Sequence, residues 1–305
     1  MAFPQTALLF TGILTGVWSA ISVAAPETRV LARQDGSRLT YHISRPSHDP
    51  APIVFNLQGS SCRGYYGDDS GMAQALNSAV IRVEKRGFPA EASGCPVEYL
   101  EHNTVDGRVD DYLAVIGDLR SDDAIWDKQS VAWIGGSEGA YVASLVAAKI
   151  PETKAAVLLG MGGGMSFADE RAELLRKHGS VCDISVLSDL VEQFRLMFAE
   201  PTGNRTWCGN TNTYKWWASI LPVKPVEMLK QVEFAIYLAV GSSDTMIPPE
   251  SADALANSFH ELGKANLTLV KHIGLDHNFL DANGISHARD VYSLAIAWLK
   301  ARLNR

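Results

Sequence analysis

The sequence predicts an α/β protein: a mostly parallel, eight-stranded sheet with helices on both faces and an inserted helical cap. Three observations carry that expectation. From residue 52 onward, short apolar runs alternate with stretches of helical spacing, the pattern of crossover units that build a parallel sheet. Before them, runs 28–33 and 38–44 flank the turn Gln34-Asp35-Gly36-Ser37 and read as a hairpin adding antiparallel strands at one edge. Finally, the 73 residues from 161 to 233 far exceed one crossover helix.

The elements follow in order. Run 52–57 is a strand stopped by Gln58-Gly59-Ser60-Ser61, and a helix ending near Ala79 precedes a buried strand at 80–84. Over 105–119, Val109, Leu113, Ile116 and Leu119 share one face at helical spacing. Strand 130–134 runs directly into Gly135-Gly136-Ser137-Glu138-Gly139, and helix follows over 140–148. Strands 155–160, 234–240 and 267–272 and helices 249–262 and 289–303 complete the alternation. The long interval holds helical stretches at 168–178 and 185–198, two cysteines, and the aromatic cluster Trp207, Tyr214, Trp216 and Trp217. It is read as a cap inserted at about 164–230. The aromatic cluster fits an acyl or aromatic pocket and the cap's own small core equally well.

At 305 residues the chain accommodates one large domain carrying such an insertion. With 47% apolar and 20% charged residues it has the composition of a globular protein. A net charge of −7 without any basic run argues against nucleic acid as a partner. Small molecules or peptides remain as substrates, and the sequence is silent on oligomeric state. No internal apolar stretch is long enough to span a bilayer.

The N-terminus stands apart: residues 7–25 carry no charge and end in Ser22-Val23-Ala24-Ala25, the small-x-small pattern of a signal-peptidase site. Residues 1–24 are therefore expected to be a signal peptide, leaving 25–305 as the mature domain, exported to the periplasm or beyond. The competing reading is a buried helix or a retained anchor; Gly12 and Gly16 weaken the buried helix, and the strand signals that follow favour cleavage, while the α-amine must supply the missing basic charge. Cys62, Cys95, Cys182 and Cys208 form an even set in an apparently exported chain. The expected pairing is the sequence-local one, Cys62–Cys95 and Cys182–Cys208, against the alternative of four free thiols. No Cys-x-x-Cys is present, and neither a metal nor another cofactor is expected.

A serine hydroxyl needs an adjacent base to become a nucleophile, and it must project where substrate can reach it. A Gly-x-Ser-x-Gly turn between a buried strand and a helix achieves the projection, and Gly135 and Gly139 flank Ser137 in that way. After such an elbow the expected chain order is serine, acid, histidine. Asp244 follows strand 234–240 and His277 follows strand 267–272, so both lie past the carboxyl ends of parallel strands, on the edge where open sheets bind ligands. Asp276 is a rival acid, but adjacent residues seldom point the same way. The backbone N–H groups of Glu138 and of Ser60, with Ser61 as second choice, are the candidate oxyanion donors. Glu138, Lys85 and Arg86 are expected to form an ion pair supporting the elbow, in preference to reading a substrate charge.

Taken together, Gln58-Gly59-Ser60-Ser61, Gly135-Gly136-Ser137-Glu138-Gly139, Asp244 and His277 resemble the α/β-hydrolase superfamily. The stretch Glu84-Lys85-Arg86-Gly87 looks like the equivalent loop in exported bacterial members of its prolyl-oligopeptidase-like branch. The resemblance implies a metal-free serine hydrolase working through an acyl-enzyme, and it leaves the substrate open. The oxyanion loop departs from the His-Gly-Gly-Gly form of many lipases. A carboxylesterase for small or medium acyl groups is the first expectation. A peptidase or amidase of the same fold is the alternative, and a binding protein that has lost catalysis the second.

Overall fold

Backbone pairing turns the apolar runs into one sheet. In the computed structural model, which describes residues 25–62, 68–88, 94–209 and 211–303, eight strands are joined edge to edge. They are β1 (Glu27–Ala32), β2 (Arg38–Ser44), β3 (Ala51–Leu57), β4 (Ala79–Val83), β5 (Trp126–Gly136), β6 (Thr153–Leu159), β7 (Ala235–Gly241) and β8 (Leu267–His272). Their order is β1-β2-β4-β3-β5-β6-β7-β8. The hairpin β1–β2 joins β4 antiparallel, and every later pairing is parallel. The expected signal segment, 1–24, lies outside the described residues.

Because β4 lies on one side of β3 and β5 on the other, the chain reverses its direction of winding at β3. A crevice opens there, beyond the carboxyl ends of β3 and β5, where open α/β sheets hold their ligands. The two loops that leave these strands carry Ser60 and Ser137.

Ten helices cover the sheet among the described residues: α1 (Ser70–Leu76), α2 (Val97–His102), α3 (Val105–Leu119), α4 (Glu138–Ala147), α5 (Phe167–His178), α6 (Leu187–Ala199), α7 (Tyr214–Ile220), α8 (Val226–Leu229), α9 (Pro249–Glu261) and α10 (Ala288–Leu303). Strand residues alternate between faces, as the pleat requires. Ile53, Phe55, Val131 and Trp133 enter one apolar core with α3, α4 and α9; Val54, Ala132 and Ile134 enter the other with α1 and α10. Phe55 stacks on Trp133 with ring centroids 4.5 Å apart, joining β3 to β5 at the crevice.

Helices α5–α8 all stand in the long interval between β6 and β7. Their buried residues, Phe167, Leu174, Phe194, Trp216 and Trp217 among them, belong to the same contiguous core as α3 and α4. Side-chain caps begin α5 and α7: Ser166 Oγ accepts from Asp169 N and Thr213 Oγ1 from Trp216 N. The four cysteines are joined as Cys62–Cys95 and Cys182–Cys208.

Two differences from the sequence expectation have local causes. Strand β5 begins at Trp126, paired with Ala51, whereas the apolar run begins only at 130. The polar Asp127-Lys128-Gln129 hides those first residues, and Lys128 has φ 59° at a register shift between β3 and β5. Helices α2, α7 and α8 are seven residues or shorter, too short to show a helical period.

The elbow itself is dictated by backbone contact. A Cβ on Gly135 would lie 2.3 Å from the Gly139 carbonyl oxygen, and one on Gly139 would lie 2.5 Å from that of Leu57 and 2.6 Å from that of Gln58. Strand β5, helix α4 and the end of β3 thus meet with no room for a side chain. Gly139→Ala is expected to cost about 1–3 kcal/mol through overpacking, read as a lower urea midpoint with an unchanged slope. Gly117→Ala, on α3 where an added Cβ meets nothing within 4 Å, serves as the control.

Candidate active site

Ser137 sits between β5 and α4 at φ 54°, ψ −126°, a conformation that L-residues rarely hold. It persists because both neighbours fix it: Ser137 N donates to Leu159 O at 2.8 Å, continuing the β6 ladder, and Ser137 O accepts from Ala140 N at 2.8 Å in the first turn of α4. The side chain makes no helix cap. Its Oγ is instead 3.0 Å from His277 Nε2.

His277 and Asp244 come from the loops after β8 and β7. His277 Nδ1 is 2.7 Å from Asp244 Oδ2, and the two side chains are 10% and 1% exposed. Asp244 Oδ1 accepts from Met246 N at 2.7 Å and Ile247 N at 2.9 Å, so the carboxylate cannot turn. With the imidazole proton on Nδ1, facing Asp244, Nε2 is left to accept from the Ser137 hydroxyl. The rival Asp276 is spent on its own turn, accepting from Asn278 N and Leu280 N at 2.8 Å each. Gly160 passes beneath the imidazole: a Cβ there would lie 3.3 Å from His277 Cε1. The arrangement can deprotonate the hydroxyl as it attacks and hold the resulting imidazolium.

Ser60 and Glu138, the expected backbone donors, both line the cavity at Ser137. What holds the Ser60 loop is a set of donors beneath it. Arg108 Nη2 donates to Gln58 O at 2.8 Å, Lys85 Nζ to Gly59 O, Tyr99 OH to Ser60 O at 3.3 Å, and Lys85 Nζ to Ser61 O at 2.9 Å. Four successive carbonyls are thereby drawn inward. Glu138 completes the cluster through Arg108 Nη1 at 2.8 Å, with side chains 1% and 5% exposed.

This differs in detail from the expected ion pair. Glu138 does support the elbow, but its partner is Arg108, while Arg86 pairs with Asp35 on the β1–β2 turn at 2.6 Å. Arg108 was invisible as a site residue because it falls inside the amphipathic repeat of α3, where a single cation looks like an ordinary surface position. Of the aromatic cluster, Trp216 and Trp217 line the cavity, and Trp207 packs edge-on against Trp217 at 4.7 Å. The cluster is thus both pocket wall and core.

No family model matches the chain, and no curated protein matches its sequence. Solved structures do match. Est1E from Butyrivibrio proteoclasticus, solved with ferulic acid bound, is 17% identical with a TM-score of 0.61 over 89% of this chain and 98% of its own. The acylaminoacyl peptidase of Pyrococcus horikoshii is 15% identical with a TM-score of 0.62, over 93% of this chain and 43% of the peptidase. A puromycin-hydrolyzing peptidase of Mycobacterium tuberculosis is 18% identical with a TM-score of 0.60, over 91% and 39%. The likeness is one of fold, that of the α/β-hydrolases.

Burial pulls the Lys85 ammonium down from its ordinary value to about 7, although Glu138 opposes the shift. A neutral amine keeps two N–H bonds, enough for the two carbonyls it serves. Above that pH the folded Lys85 is neutral while the unfolded one stays protonated to about 10.5, so the unfolded state binds more protons and stability rises with pH. Urea unfolding at pH 6 and pH 9 should therefore show the wild type gaining on Lys85→Met at the higher pH. An equal difference at both would deny the shift.

Proposed function

We propose that this protein is an exported serine hydrolase that cleaves esters of small or medium acyl groups through an acyl-enzyme on Ser137. The observation that carries the reading is the continuous chain from Ser137 Oγ through His277 to the buried Asp244, opening on a cavity. Ser137 Oγ attacks the carbonyl carbon while His277 Nε2 takes its proton, and the oxyanion forms against the N–H groups of Ser60 and Glu138. His277 then protonates the departing alkoxide. A water molecule, deprotonated by His277, attacks the acyl-serine; collapse releases the acid and returns the proton to Ser137.

Helices α5–α8 act in this reading as the cap, about 164–230, that walls the cavity. A cavity of about 90 Å³ supports a short acyl group; pockets for drug-sized ligands begin near roughly 300 Å³. Its apolar walls include the rings of Tyr141, Phe167 and Trp217 beside Ile220, Met246 and Ile247. Two disulfides support an oxidising compartment, hence periplasmic or extracellular residence. A peptidase of the same fold is the second reading, favoured by the likeness to the acylaminoacyl peptidase.

A fluorophosphonate probe should label the wild type at Ser137, and Ser137→Ala should abolish both labelling and turnover of p-nitrophenyl acetate and butyrate. Loss of Ser137 or His277 is expected to cost about 10⁶-fold in kcat. Lys85→Met should lower kcat by up to about 10²-fold with KM little changed, since it loosens donors used only in the transition state. Labelling elsewhere would sink the assignment, and turnover confined to aminoacyl-nitroanilides would select the peptidase reading.

A further inference from the structure

One side of the cavity carries chemistry that the hydrolytic steps leave unused. Arg171, on α5, lines it and is 7% exposed. Its Nη2 donates to the Met246 carbonyl, and its guanidinium lies 4.4 Å over the Phe167 ring. Its Nε is buried without a hydrogen-bond partner, and among the described residues no carboxylate forms an ion pair with it. Glu170 and Asp244 favour its charge from nearby. Each is already engaged, Glu170 with Tyr141 OH and Ser251 Oγ, and Asp244 with His277. A guanidinium keeps its proton even where burial disfavours it, so this wall presents a desolvated cation with a donor to spare.

Trp216, on α7, makes a second and independent observation. Its indole Nε1 is buried, lines the same cavity and has no partner. The indoles of Trp126, Trp133, Trp217 and Trp298 all donate to protein oxygens. Buried donors are seldom left open, because an unmet one costs about 1–3 kcal/mol. Glu138 reaches the cavity from α4, on the serine side; Arg108 answers its charge at Oε1 at 2.8 Å, and Oε2 is buried without a hydrogen-bond partner. A desolvated cation and an indole N–H without a partner therefore stand in the lining of one small, largely aromatic space, both on the inserted helices.

We infer that this wall is a subsite for a carboxylate at the far end of a short acyl chain, so that the substrate is a half-ester of a small dicarboxylic acid. The inference rests on the reaction proposed for Ser137. The Arg171 guanidinium pairs with the distal carboxylate, the Trp216 indole N–H turns to donate to it, and the Phe167 and Trp217 rings pack the methylenes between it and the scissile carbonyl. The cavity of about 90 Å³ limits that spacer to a few carbons.

The test compares three methyl esters in a pH-stat: monomethyl succinate, the neutral acceptor methyl 4-oxopentanoate, and the apolar isostere methyl 4-methylpentanoate. Wild-type kcat/KM should favour monomethyl succinate by about tenfold or more, the scale of a charge-assisted hydrogen bond. Arg171→Met should bring that ratio close to one, and Arg171→Lys should restore part of it. Equal or better use of either neutral ester by the wild type would overturn the inference. So would a ratio that survives in an Arg171→Met protein that still takes the fluorophosphonate label. Calorimetry of monomethyl succinate with Ser137→Ala separates the two claims. Binding that disappears on adding Arg171→Met upholds the subsite even where no ester is turned over, and absence of binding rejects it. Missing fluorophosphonate labelling, by contrast, counts against the hydrolase reading alone.

Discussion

The site depends on one close contact: the first turn of α4 lies directly on the backbone at the end of β3. Gly139 makes that approach possible, since any Cβ there would strike the Leu57 and Gln58 carbonyls. The contact brings the loop after β3 and the elbow after β5 to the same point of the crevice. Ser137 can then hold its strained backbone, because β6 on one side and α4 on the other over-determine it. Asp244 and His277 arrive from the next strands of the same parallel sheet, at the same edge.

The buried charge cluster is a consequence of that contact. Once the loop 58–61 is pressed against α4, its carbonyls face an interior with little water, and each must find a donor. Arg108, Lys85 and Tyr99 supply them. Arg108 also answers Glu138, so the charge of a carboxylate beside Ser137 is countered. Burying such charges is costly, and the Arg108–Glu138 pair is tolerable because hydrogen bonds accompany it. The return is specificity of conformation: the loop has one orientation, with its carbonyls committed.

Much of this was legible in the chain. Ser137 could be read because the pentapeptide lies between a strand run and a helix run, and Asp244 and His277 because each follows a strand in the order the elbow requires. The supporting cluster was less legible. Lys85 and Glu138 were noticed for their nearness in sequence to the active edge, yet Glu138's partner, Arg108, sits inside a helical repeat that disguises it. Trp216 was noticed only within an aromatic cluster that fits a pocket and a core equally well, and Arg171 carries no signal, since an arginine on an amphipathic helix has an ordinary role. Only their missing partners distinguish them, and a missing partner is a property of tertiary distance. Local pattern pointed to Ser137, Asp244 and His277, which the fold brings together; it did not point to the groups that hold the loop beside them.

The central claim is that the crevice presents Ser137 and two backbone donors to one reacting carbonyl. A crystal structure of the protein after reaction with a diethyl phosphonate ester addresses it most directly. Phosphorus should be bonded to Ser137 Oγ, with the phosphoryl oxygen about 2.7–3.1 Å from the N–H groups of both Ser60 and Glu138. A phosphoryl oxygen turned to solvent, or held by other groups, would mean that the loop anchored by Lys85 and Arg108 is not the oxyanion site.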